Sequence, residues 1–218
     1  MVSHKTYMGY WRTRVLGYSQ QNIIVDNILT EQEIQDVYNH IDSTPEERRE
    51  LVRLFSHKAY HGWMPQNVID SITRAAQSTT DVPLVLREIS FARYEKYEEG
   101  LPVQLIPHSD ETFREHRLTF DVQLRSNRDW AIVVEGKSFT LKDNQALTFS
   151  GTSQIHWREK TEFKDGDFVD MIFAHFSAQD YIPYELGVRS DSSLPPESEH
   201  DILMSDKQKD WEKIYNES

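Results

Sequence analysis

The chain has 218 residues, 38% hydrophobic and 28% charged, which is enough for a sizeable buried core. Acidic residues outnumber basic ones 36 to 24; the net charge of -12 repels a phosphate backbone and argues against general nucleic-acid affinity. There is no cysteine, which excludes disulfides, thiolate metal sites, iron–sulfur clusters and cysteine nucleophiles. Any metal must therefore be held by nitrogen and oxygen. No apolar run reaches the roughly 18 residues of a membrane helix, and the first ten residues lack the apolar centre of a secretory signal. A cytoplasmic protein with no membrane partner is expected.

Residues 22–27 form a short apolar run suited to an edge strand. Thr30 and Glu33 make a capping box, and Ile34, Val37, Tyr38 and Ile41 follow at helical spacing. Thr44, Pro45, Glu46 and Glu47 look like a second helix start leading to Leu51, Val52, Leu54 and Phe55. A third helix is predicted over Gln66 to Gln77, so residues 1–80 read as mostly helical.

Beyond Pro83 the pattern changes to short strands separated by turns. Strands are predicted over Leu84 to Tyr94, Val103 to Ile106, and Arg117 to Arg125. In the last of these, Leu118, Phe120, Val122 and Leu124 alternate with polar residues. A hairpin over Trp130 to Leu141 follows, then strands at Ala146 to Phe149, Gln154 to Arg158 and Phe168 to Phe176. This series indicates a mainly β sandwich or jelly roll over residues 84–177, with the N-terminal helices packed outside. Residues 178–218 form a polar extension of the same domain, in which Leu203, Met204, Trp211 and Ile214 suit a short docking helix.

His108 and Asp110 are two apart at a strand end, so both side chains can reach one point. His156 follows several strands later, where a closed roll can return it to the same place. Two histidines and a carboxylate make a facial triad that leaves adjacent metal positions open. The residue types alone permit Fe(II) or zinc. His4, His40, His57, His61 and His116 show no comparable arrangement, and zinc-protease, phosphate-loop, dinucleotide and nucleophile-elbow motifs are absent.

The stretches Ile89 to Tyr94, His108 to Asp110, Leu118 to Leu124, Asp143 to Phe149, Ile155 to Arg158 and Met171 to Phe176 resemble, in order and separation, the 2-oxoglutarate/Fe(II)-dependent dioxygenases. Ile23 to Ile34 is similar to that family's opening strand and capped helix. The resemblance implies a double-stranded β-helix with Fe(II) on His108, Asp110 and His156. It also implies 2-oxoglutarate and dioxygen as cosubstrates, release of succinate and carbon dioxide, and attack on an unactivated C–H bond. Asp110 favours hydroxylation or demethylation over halogenation, because related halogenases lack the metal carboxylate.

The family's usual cation about ten residues past the second histidine is missing here, where Gly166, Asp167 and Phe168 stand. Arg158 is the candidate instead, two residues from His156 and on the same face of its strand, with a fork suited to a carboxylate. A subset of these oxygenases is similar in placing an arginine there. Arg125, Arg117 and Lys164 are the other candidates, and Tyr94 is a second donor to the same carboxylate. Trp130 is assigned to the core, Trp157 to the core or the chamber wall, and His175 to a structural role. Arg93 is expected to pair with a carboxylate, while Tyr7 to Trp11 and Tyr97 to Ile106 are entrance candidates. The expected partner is a small-molecule or amino-acid-like substrate. Two rivals stand beside this reading: a cupin-like metal protein without 2-oxoglutarate, and a non-enzymatic β-sandwich interaction module.

Overall fold

Thr30 opens a helix in the way its spacing to Glu33 requires. In the computed structural model, which describes residues 22–45, 48–52, 57–60, 64–98, 100–110, 118–152, 154–179 and 199–217, helix α1 spans Glu31–Ser43. The Thr30 hydroxyl accepts from the Glu33 amide at 3.2 Å, and the Glu33 carboxylate accepts from the Thr30 amide at 2.7 Å. Ile34, Val37 and Ile41 form the buried stripe of α1, each contributing on the order of 2 kcal/mol by burial. Helix α2, Gln66–Gln77, buries Val68, Ile69, Ile72 and Ala76 in the same core.

Where a helix was expected after Thr44, the described residues Arg49–Val52 form a strand. Thr44 ends α1 instead: its amide donates to the Ile41 carbonyl at 3.1 Å and its hydroxyl to the His40 carbonyl at 2.9 Å. The Arg48 amide donates to the Pro45 carbonyl at 3.0 Å. With β1 at Ile24–Asp26, the segment Arg49–Val52 is β2, and it pairs antiparallel with β3, His57–Tyr60. Strand β3 in turn pairs with β4, Leu84–Glu95. Tertiary pairing has overridden a local helix signal at Arg49–Val52, so among the described residues this part holds strands as well as helices.

The later strands fall close to their predicted places. They are β5 (Val103–His108), β6 (Leu118–Ser126), β7 (Ile132–Val134), β8 (Lys137–Phe139), β9 (Gln145–Phe149), β10 (His156–Thr161) and β11 (Phe168–Ala178). Glu135 and Gly136, with φ of 48° and 77°, make the two-residue turn between β7 and β8, a geometry that matches strand twist. The strands form a seven-stranded sheet in the order β1-β9-β6-β11-β4-β3-β2 and a four-stranded sheet in the order β5-β10-β7-β8. All pairings are antiparallel. Two facing sheets with helices outside constitute the double-stranded β-helix, or jelly roll.

Strand β6 shows how the roll makes a polar interior. Phe120, Val122 and Leu124 pack outward with Phe91, Ile172 and the two helices. Thr119, Asp121 and Gln123 are buried as well, on the other face, which looks into the roll. The alternation therefore separates a helix-covered face from a chamber, and neither face meets solvent. Tyr94, Val103, Trp130, Phe163, Val169 and Met171 form an apolar cluster at one part of that interior.

Helix α3, Glu199–Glu217, covers the outer face of the small sheet. Trp211 stacks on Trp157 with ring centroids 4.9 Å apart, and Tyr215 is buried with Ile155. Docking was expected here, but Tyr215 supplies it where Ile214 was the candidate; Ile214 is 53% exposed. Residues 180–198, the entrance candidate Tyr7 to Trp11, and Arg117 lie outside the described residues. Among the described residues no helix is long and apolar enough to cross a membrane.

Asp170, fully buried on the outer face of β11, joins the layers. Arg93 donates to it through Nε and Nη2 at 2.7 Å each, as its expected carboxylate pairing requires, and the Tyr38 hydroxyl of α1 donates at 2.9 Å. Asp170→Ala strands both donors, and should lower unfolding free energy in urea by about 2–3 kcal/mol.

Candidate metal centre

The two histidines are set by strand register. His156 of β10 lies directly opposite His108 of β5, while Arg158 lies opposite Leu105. Strand β5 thus spends three residues where β10 spends two, a bulge that contains Pro107, which has no amide to donate to a ladder. The bulge reverses the side-chain alternation, so Ile106 points outward to Trp157 and Tyr215 while His108 points in. The two imidazole centroids are 4.2 Å apart. Asp110, just beyond the strand, is held by its amide on the Gly151 carbonyl at 2.8 Å.

One ligand atom from each of His108, Asp110 and His156 lies within 4.8 Å of the others. Nε2 of His108 and of His156 stand 3.8 Å and 3.7 Å from the same Asp110 oxygen, Oδ1. His108 Nδ1 faces the Ile106 carbonyl at 2.7 Å and His156 Nδ1 faces the Gln154 carbonyl at 3.1 Å. A carbonyl can only accept, so both Nδ1 atoms carry the proton and both Nε2 atoms keep their lone pairs. Burial, joined by the neighbouring His156, pushes the His108 pKa down to about 4. Burial also lowers that of His156, against the opposing pull of Asp110. Neutral imidazoles and an acceptor-only carboxylate aimed at one point are what a cation requires. Donors about 2.1 Å from one ion at adjacent octahedral corners stand about 3 Å apart, so small side-chain shifts complete the fit.

Several residues that shape this centre carried no signal in the sequence. A Cβ on Gly151 would fall 1.7 Å from Asp110 Oδ2 and 2.5 Å from Thr119 Oγ1, so only glycine admits the carboxylate. The Thr119 hydroxyl lies 3.2 Å from Asp110 Oδ2 and 3.3 Å from His175 Nδ1. His175, read from its strand as structural, lies beside the centre, with Nδ1 3.9 Å from Oδ2. Oδ2 is thereby held from behind while Oδ1 faces the imidazoles.

Arg158 projects into the same interior and is the largest fully buried side chain among the described residues. Its Nη1 donates to the Trp130 carbonyl and its Nη2 lies 3.6 Å from Met171 Sδ. Its guanidinium carbon stands 5.0 Å from the Trp130 ring and 5.9 Å from that of Tyr94. Tyr94 is fully buried beside it, its phenol pKa raised by burial. Trp130 packs in the core, edge-on to Tyr94 and Phe163, and Trp157 faces outward to α3. The other cations lie elsewhere: Arg125 pairs with Glu31 at 2.5 Å on the surface, and Lys164 is exposed.

No protein-family model matches the chain, and no curated protein matches it by sequence. Solved structures do match in fold. SnoN, a non-heme α-ketoglutarate-dependent epimerase from nogalamycin biosynthesis, aligns over 86% of this chain and 88% of its own, with TM-score 0.60 and 14% identity. HygX from Streptomyces hygroscopicus, with nickel and 2-oxoglutarate bound, aligns over 83% and 89%, with TM-score 0.54 and 9% identity. An oxidoreductase of the 2OG-Fe(II) oxygenase family from Burkholderia pseudomallei aligns over 80% and 90%, with TM-score 0.53 and 11% identity. The likeness is one of fold, and it agrees with the roll derived above from the strands.

Two outcomes follow. Gly151→Ala should displace Asp110 and weaken Ni(II) or Fe(II) binding by about 10- to 100-fold in a metal titration, with the fold retained by circular dichroism. The unfolded chain protonates His108 near 6.5 and the folded one only near about 4, so between these values the unfolded state binds more protons. The metal-free protein should therefore lose stability as pH falls from 7 to about 5, seen as a lower urea midpoint.

Proposed function

We propose that this protein is an Fe(II)- and 2-oxoglutarate-dependent oxygenase. It oxidises an unactivated C–H bond of a small-molecule or amino-acid-like substrate and releases succinate and carbon dioxide. The observation that carries this reading is the pairing of a convergent His108–Asp110–His156 centre with a buried arginine in the same chamber. Among the described residues Arg158 forms no ion pair with a carboxylate; its contacts are a carbonyl, a thioether and two rings. A buried guanidinium so placed is costly until an anion reaches it. The distal carboxylate of 2-oxoglutarate, held at its other end by the metal, is such an anion.

In this reading His108, Asp110 and His156 hold Fe(II) on one face. When bound, the metal, 2-oxoglutarate and dioxygen supply the oxidising power. The chain's own work is placement. Arg158 and Tyr94 fix the far end of the cosubstrate, and Trp130 and Met171 line that pocket and keep water from the guanidinium. Thr119 and Gly151 keep Asp110 turned so that Oδ1 faces the imidazoles. A net charge of -12 suits neutral or cationic substrates better than polyanions. A cysteine-free chain fits the reducing cytoplasm, where we place it.

Anaerobic reconstitution with Fe(II), followed by oxygen-dependent conversion of 2-oxoglutarate to succinate, tests the reading. Arg158→Gln should weaken 2-oxoglutarate binding by about 30- to 100-fold while Fe(II) affinity stays unchanged. Asp110→Ala should abolish stoichiometric iron binding. Absence of coupled and uncoupled turnover, with iron binding unaltered in Asp110→Ala, would overturn it, and no stoichiometric iron in the parent would favour the non-enzymatic interaction module. Turnover indifferent to Arg158 and without succinate would favour the cupin-like rival.

A further inference from the structure

Among the described residues, Asp121 is a buried ionisable group of the inner face that the functions above do not use. It sits mid-strand on β6 and is 4% exposed. Its cross-strand neighbours are Leu147 of β9 and Phe173 of β11, neither of which offers a side-chain polar atom. Along its own strand, Gln123 is engaged with the Leu141 carbonyl at 3.0 Å and Thr119 with Asp110. Oδ1 of Asp121 is buried with no hydrogen-bond partner. The charged or titratable groups that influence it are Asp110, Arg158 and Tyr94. Yet Asp121 makes no ion pair with Arg158, the nearest compensating cation among the described residues, whose guanidinium is turned to the Trp130 carbonyl and the Met171 sulfur.

A buried acid and a buried base of one chamber that do not pair with each other can both be satisfied by one further group. Charge counting says which kind. In the reading above, the two positive charges of Fe(II) and the one of Arg158, less the one negative charge of Asp110, leave two. The two carboxylates of 2-oxoglutarate cancel these. An ionised Asp121 would add an uncompensated negative charge to a closed, low-dielectric space, which favours the neutral acid. Burial and the nearby Asp110 both raise the Asp121 pKa, in the same direction.

We propose that Asp121 acts in cosubstrate binding as a neutral carboxylic acid, donating a hydrogen bond to the distal carboxylate held by Arg158. The inference rests on the 2-oxoglutarate reading and adds a proton-bearing third member to Arg158 and Tyr94. Its alternative is an ionised Asp121 that receives a cationic group of the prime substrate.

The test uses the full chain, loaded anaerobically with Fe(II) and titrated with 2-oxoglutarate, with binding read from the charge-transfer absorption. Asp121→Asn retains a donor and should bind within about threefold of the parent, whereas Asp121→Leu should bind about tenfold more weakly. Binding of 2-oxobutyrate, which lacks the distal carboxylate, should be the same in all three proteins. Infrared difference spectra of the parent complex should show a protonated-carboxyl stretch that is lost in Asp121→Asn, a readout that does not depend on how Asp121→Leu folds. Unchanged or tighter 2-oxoglutarate binding in both variants, or a parent complex without that stretch, would overturn the proposal and leave the 2-oxoglutarate reading standing. Failure of the parent itself to bind 2-oxoglutarate would remove both.

Discussion

The structure around the candidate metal centre depends on one cross-strand pair, His108 opposite His156. Opposed residues of an antiparallel ladder hold their Cβ atoms about 5 Å apart, which brings two imidazoles within reach of one ion without long or mobile side chains. The register does more than set that distance. It fixes which face of β10 looks inward, and so carries Arg158 into the chamber two residues later. It also fixes where β5 ends, so that the next turn delivers Asp110 to the Gly151 carbonyl. A one-residue slip would turn His156 and Arg158 outward together.

The same sheets explain how so polar a chamber survives inside a folded protein. The large sheet stabilises itself mainly through its outer face, where Phe91, Phe120, Val122, Ile172 and Phe176 meet the helices. The inner face is then free to carry Thr119, Asp121 and His175 around the centre, with apolar clusters at Trp130 and at Phe149 closing it off. Low dielectric makes each inner charge consequential. It penalises any that lack a counterpart and strengthens the hold on a ligand that supplies one.

Much of this was legible from residues close in sequence. The Thr30 capping box, the α2 stripe and the later strands depend on local periodicity, and each formed where the spacing put it. The triad was legible because a strand end needs only i and i+2, and the roll supplied the rest. What could not be read depended on partners far along the chain. Thr44 bears the same cap chemistry whether it opens a helix or closes one, and pairing with β3 decided the matter. The β5 bulge that turns His108 inward exists only against β10. Gly151 looks like any turn glycine until Asp110 is placed beside it, and His175 like any strand residue until Thr119 joins it to Oδ2. For β6 the alternation was plain, but nothing local tells a chamber-facing polar row from a solvent-facing one.

The packing of α3 on β10 bears on how the site is made during biosynthesis. The inner side of β10 carries His156 and Arg158, and its outer side carries Trp157, against which Trp211 and Tyr215 of α3 pack. Tyr215 also reaches the backbone, its hydroxyl 3.5 Å from the Arg158 carbonyl. A chain emerging from the ribosome exposes β10 well before the residues that back it. Until they arrive the Trp157 indole has only part of its packing, from Ile106, Val133 and Ile155 among the described residues, and β10 is held less firmly in register. On this packing the centre should reach its final register only after α3 has docked, late in synthesis.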